Sequence, residues 1–69
     1  MNEDVLNMQI RRFLKQVGVS SQREIEHAIM KAVESGRLQG DETLEVKMTL
    51  ELPDLIVKHC VEGEIALEE

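Results

Sequence analysis

Few residues in this chain have side chains suited to chemistry. His59 and Cys60 stand side by side, His27 is the only other histidine, and Cys60 is the only cysteine. A histidine next to a thiol could ligate a soft metal or activate a nucleophile. On a regular strand, however, neighbouring side chains leave from opposite faces, so this pair cannot grip one ion. Structural zinc normally takes four Cys or His ligands, more than one copy of the chain possesses. Cys60 has no identifiable base beside it and reads as a small surface or interface hydrophobe. Glu45, Glu51, Glu62 and Glu64 form the second group, which could be paired general acids or a calcium cluster. Their alternation with apolar residues is the ordinary pattern of a solvent-facing antiparallel strand, and no loop has calcium-site spacing. There is no P-loop, nucleotide-binding glycine fingerprint or nucleophile elbow. We therefore assign no catalytic, cofactor-binding or metal residues, and expect a protein that is not an enzyme.

The sharpest motif is FLKQVGVSSQREIEHAIMKAV, residues 13 to 33, which has the glycine-containing turn and apolar spacing of bihelical DNA-binding units. A following hairpin would be its wing. The charges oppose this reading. The would-be recognition helix carries Glu24, Glu26 and Glu34 against Arg23 and Lys31, whereas phosphate contacts come mainly from lysine and arginine. Phe13 is the only aromatic residue, so no stacking platform for single-stranded nucleic acid is present either.

These residues must be positioned by local structure, and the strongest pattern runs from Thr43 to Leu67. Leu44, Val46, Met48, Leu50 and Leu52 point one way from a first strand. Leu55, Val57, Val61, Ile65 and Leu67 share a face of a second, because strand side chains alternate with period two. Pro53-Asp54 interrupts the runs, and proline cannot supply the positive φ of a tight two-residue hairpin turn. Either the loop widens to an even number of residues, keeping both apolar sets on one face, or the chain runs on and the second strand pairs with another chain. Gly63 falls where an apolar residue is due, which suggests a bulge or a close backbone contact.

Upstream, Asn2 can cap a helix with Glu3 and Asp4 in its first turn. Leu6, Ile10, Phe13, Leu14 and Val17 recur at helical spacing, and Gly18 is a natural stop. This predicts a first helix over about 3–17. Ser21-Gln22-Arg23-Glu24 fits a capping box. Ile25, Ala28, Ile29, Ala32 and Val33 then mark a second helix over about 21–35, ended by Gly36. A link over 36–42 leads to strands over about 43–52 and 55–67. The expected fold class is α+β, a single domain of two N-terminal helices and an antiparallel strand pair. Its expected core is Leu6, Ile10, Phe13, Leu14, Ile25, Ile29, Val33, Val46, Met48, Leu50, Val57 and Val61.

Charge is unevenly shared. The net value is −6, yet residues 1–40 sum to +1, while 41–69 carry nine acidic groups against Lys47 and Lys58. An acidic strand half disfavours nucleic acid and anionic membrane, suits a basic protein partner, and keeps exposed strands soluble. No apolar run approaches the roughly 20 residues that span a bilayer, and no secretory signal opens the sequence, so a cytoplasmic protein is expected. The lone cysteine fits a reducing compartment.

The segments GVSSQREIEHAI, DETLEVKMTLELP and VEGEIALE resemble those of a family of small bacterial proteins of about this length, classed as a domain of unknown function. The resemblance spans nearly the whole chain and implies a bacterial single-domain protein. It brings no activity, cofactor or site residue with it.

So short a chain has a marginal core without metal, disulfides or a partner subunit. Two helices side by side are roughly 20 Å across, twice the width of a two-stranded ribbon. The expectation is a homodimer through the strands, with a four-stranded sheet across it and the strands open to exchange between chains. No motif reveals an activity, so the function stays unknown from sequence; the expected role is a small non-enzymatic homodimeric interaction or assembly module, the alternative being a helix-turn-helix DNA-binding regulator.

Overall fold

The structure is a computed structural model and describes residues 1–68. It divides into two units at Arg37–Leu38, each treated below by itself.

The first unit is one α-helix, α1, over Glu3–Glu34. Its start is as the sequence dictates: the Asn2 side chain accepts from the Asp4 and Val5 amides at 3.0 and 3.1 Å, satisfying two of the amides that an N-terminus leaves unpaired. Its end is a Schellman motif. Gly36 takes φ +83° and donates to Val33 at 3.2 Å, while Arg37 donates to Ala32 at 2.9 Å.

The two-helix expectation is therefore wrong, and the residues between the two expected helices explain why. Val17 to Ser21 are all helical, and Gly18 has an ordinary negative φ. Ser21 caps nothing, whereas the Ser20 hydroxyl donates back to the Gln16 carbonyl at 2.9 Å, a bond made only inside a helix. A glycine in mid-helix costs about 1 kcal/mol relative to alanine. Ending one helix and starting another would leave up to eight backbone groups to be satisfied elsewhere, so passing through is cheaper. The pattern agrees with this: Phe13, Val17, Ser21, Ile25, Ile29 and Val33 form a row at spacing four that crosses the supposed break without losing register.

The second unit is a hairpin. Strand β1 (Thr43–Leu52) pairs antiparallel with β2 (Val57–Ala66), from Thr43 opposite Ala66 to Leu52 opposite Val57. Within the one chain described, the loop widens and both strands pair with each other. The loop has four residues. Pro53–Leu55 form one turn of 3-10 helix, Ile56 follows in the left-handed region at φ 54°, and its amide donates to the Pro53 carbonyl at 3.2 Å. Four is an even number, and the two apolar sets accordingly share one face. Leu55, expected at the head of the second strand, lies in the turn, and the strand begins at Val57. The ladder is unbroken at Gly63, which faces Val46; a bulge is absent, and an added Cβ would meet Val46 Cγ1 at an ordinary 3.8 Å.

None of the expected core residues is buried, nor is any other described residue. Ile25, Ile29, Val46 and Leu50 are half-buried; Leu6, Ile10, Phe13, Leu14, Val33, Met48, Val57 and Val61 are exposed. The reason is architectural, since a helix and a two-stranded ribbon supply only one layer each, and an interior needs layers on both sides.

Candidate functional site

The hairpin sorts its residues by parity. In an antiparallel pair, residues directly opposite share a face. One face thus holds Leu44, Val46, Met48, Leu50, Leu52, Val57, Val61 and Ile65, together with His59 and Gly63. The other holds Thr43, Glu45, Lys47, Thr49, Glu51, Lys58, Cys60, Glu62, Glu64 and Ala66. His59 and Cys60 lie on opposite faces, as alternation requires. His59 is the one ionisable group among the apolar side chains and stands opposite Leu50. Cys60 is exposed opposite Thr49, whose hydroxyl approaches its sulfur at 3.9 Å. His27 belongs to the helix. Among the described residues, no three His, Cys, Asp or Glu are grouped to hold a metal ion.

The four glutamates singled out by spacing all lie on the polar face. Glu45 stands directly opposite Glu64, a like-charged pairing, while Glu51 faces Lys58 and Glu62 faces Lys47. The Lys47 ammonium is 3.9 Å from the Glu62 carboxylate with both groups open to solvent, a geometry worth well under about 1 kcal/mol. Glu45, Lys47, Glu62 and Glu64 rim an open hollow of about 600 Å³ that reaches Val46 and Gly63. Its lining offers charge of both signs and no enclosed polar pocket, so it has no means of desolvating a reactant.

One carboxylate has a built environment. The two oxygens of Glu42 accept from the successive amides of Gln39 and Gly40 at 2.8 and 2.9 Å. Gly40 adopts φ +105°, which turns its amide toward the carboxylate. The Gln39 amide first, and the Gly40 amide after it, hold the Glu42 carboxyl below its ordinary value. This clasp at the entrance to β1 is an anion nest occupied by the chain's own side chain. It orders the loop rather than receiving a ligand.

Sequence reasoning missed Ile56. It is a β-branched residue with positive φ, a conformation that costs roughly 1–2 kcal/mol, and it is 95% exposed. Leu55 beside it is 70% exposed, so the hairpin tip presents two aliphatic side chains to solvent. No residue-type signal announces such a position, since asparagine or glycine is the usual occupant.

The bihelical unit on which a DNA-binding reading depends is not formed, because residues 13–33 lie within α1. Among the described residues no helix is long and apolar enough to cross a membrane. Over residues 1–68 the chain matches the model of a family described as a family of unknown function, DUF6494, and it belongs to that family. No curated protein and no solved structure matches it.

Proposed function

We propose, with that family membership as the premise, that this protein acts without catalysis, as a small interaction module that pairs with a second copy of itself through the strands of its hairpin. The observation that carries this reading is the one-sided ribbon, eight aliphatic or thioether side chains on one face and none of them buried. Covering such a side chain fully gains about 1.5–3 kcal/mol, and an isolated two-stranded hairpin is marginal in water. A self-complementary face on each of two copies is the simplest cover, because a twofold axis lets one patch serve both partners. The outward face, with Glu45, Glu51, Glu62 and Glu64, then suits a basic protein partner and repels phosphate-bearing polymers and anionic lipid. A single cysteine and the likeness to small bacterial proteins support a bacterial cytoplasmic setting.

Sedimentation equilibrium of the full chain at micromolar concentration tests the reading. The expected mass is twice that of the 7.9 kDa chain. A stable, folded monomer at that concentration overturns it.

A further inference from the structure

We infer that two copies of the chain join edge to edge along β2, the two β2 strands running antiparallel about a twofold axis at Val61. The inference rests on the strand-paired dimer proposed above and names the edge and the register through which it forms.

Among the described residues the hairpin is a two-stranded sheet, so each strand has one edge whose backbone groups lack a ladder partner. Alternation decides which residues offer them. The Leu67 amide donates to the Glu42 carbonyl at 3.0 Å, one pair beyond Thr43 and Ala66, so Glu42 and Leu67 are a hydrogen-bonded pair. Such pairs recur at every second position, which turns the backbone groups of the apolar-face residues inward and those of the polar-face residues outward. The free edge of β2 is therefore built from Lys58, Cys60, Glu62 and Glu64.

Charge selects this edge and makes a second copy its match. With the axis at Val61, Lys58 stands opposite the partner's Glu64 at both ends of the junction, and Cys60 stands opposite the partner's Glu62 between them. On the apolar side Val61 meets Val61 of the partner, and Val57 meets the partner's Ile65, so aliphatic side chains of the two copies cover one another's flanks. The ladder runs from Val57 to Ile65, nearly the whole strand. Moving the axis to Glu62 sets that carboxylate against itself, and moving it to Cys60 leaves Glu64, Ile65 and Ala66 unpaired. The edge of β1 has no equivalent. Its two fullest registers place Lys47 against Lys47 or Glu45 against Glu51, and those that match Lys47 with a glutamate leave one end of the strand unpaired. Joining β1 to the partner's β2 leaves a free edge of each kind, and so propagates instead of closing.

Gly63 is an independent sign of the same register. A glycine weakens a strand interior, and nothing inside the hairpin asks for one: its φ is not positive, and an added Cβ would meet only Val46 Cγ1, at an ordinary 3.8 Å. With the axis at Val61, Gly63 stands opposite the partner's His59 in a non-hydrogen-bonded pair, where facing residues come closest. The imidazole, the one ionisable side chain on the apolar face, then lies over bare backbone without a clash.

The test uses the full chain. In a Cys60→Ser background and oxidised glutathione, Val61→Cys should form disulfide-linked dimer at least about tenfold faster than Met48→Cys, its cross-strand neighbour, because the axis brings only position 61 of the two copies within bridging range. Equal rates, or faster linking at position 48, overturn the β2 edge. Wild-type Cys60 linking as fast as Val61→Cys moves the axis and overturns the register. Chains carrying Lys58→Glu or Glu64→Lys should each dimerise about tenfold more weakly than wild type, as like charges meet across the junction, and together should form a mixed dimer of wild-type affinity. No preference for the mixed dimer overturns the pairing, even where a cysteine variant fails to fold. Sedimentation of the wild-type chain separates the two readings: a folded monomer removes the proposed dimer and this edge with it, whereas a dimer without preferential linking at position 61 removes the edge alone.

Discussion

The middle of α1 and its end contain the same punctuation and treat it differently. Gly18 stands between Val17 and Val19, and the helix runs through it; Gly36 follows a serine, and the helix stops there. The difference lies in what surrounds each glycine. At Gly36 the chain leaves the helical path at φ +83°, and two amides, from Gly36 and Arg37, turn back to cover carbonyls of the last turn. At Gly18 those carbonyls already have helical partners, and Ser20 donates a further bond to the preceding turn. Glycine permits a helix to end, and the closing hydrogen bonds are what end it.

The largest effect expected on this contrast is from Gly18→Pro. Proline removes an intrahelical bond and collides with the preceding turn, so far-UV circular dichroism should show a marked loss of helicity and stability should fall by about 3 kcal/mol or more. Undiminished ellipticity would mean that the chain does break near residue 18. Next is a single substitution with opposite signs at the two glycines. Gly36→Ala should cost about 1–2 kcal/mol in chemical denaturation, because its φ is left-handed. Gly18→Ala should gain about 1 kcal/mol, since an added Cβ meets nothing within 4 Å. Equal signs would erase the distinction between the sites.

Ile56→Asn extends the comparison to the hairpin tip. Asparagine tolerates the left-handed region, and the isoleucine it replaces is almost fully exposed, so thermal unfolding should move upward by the equivalent of up to about 1 kcal/mol. A lower Tm would mean that the isoleucine side chain makes stabilising contacts. The smallest effect is at Glu42. A carboxyl held below its ordinary value stabilises the fold above its unfolded pKa, and that contribution is lost as pH falls through the depressed folded value. The amide resonances of Gln39 and Gly40 should therefore titrate together, with a midpoint below that of an ordinary glutamate. An unshifted midpoint would show that the clasp is not formed in solution.

The hairpin was legible in the sequence and the single helix was not. Period-two alternation from Leu44 to Leu52 and from Val57 to Ile65 involves many residues, each pointing to the same arrangement, and one ambiguous turn could not hide it. The supposed break at Gly18 to Ser21 rested on three local signals, each worth about 1 kcal/mol, whose sum depends on whether any tertiary contact rewards a bend. The row Phe13, Val17, Ser21, Ile25, Ile29, Val33 was the opposing signal, and Ser21 in its centre disguised it. The expected core failed for a related reason. Periodicity identifies which side chains share a face, and says nothing about whether another layer comes to cover it. At the candidate site, the separation of His59 from Cys60 and the outward glutamates followed from alternation alone, whereas Ile56 in a left-handed conformation had no signal in residue type.

The four-residue loop imposes a rule on how this chain can change length. Inserting or deleting one residue between Leu52 and Val57 would shift β2 by one place against β1 and carry Lys58, Cys60, Glu62 and Glu64 across to the side of Leu44 and Val46. Two residues added or lost together would leave every side chain on its present side. Length variation at this tip is therefore quantised in steps of two unless a compensating bulge accompanies it. A ribbon with one apolar side and one charged side tolerates such drift only in pairs.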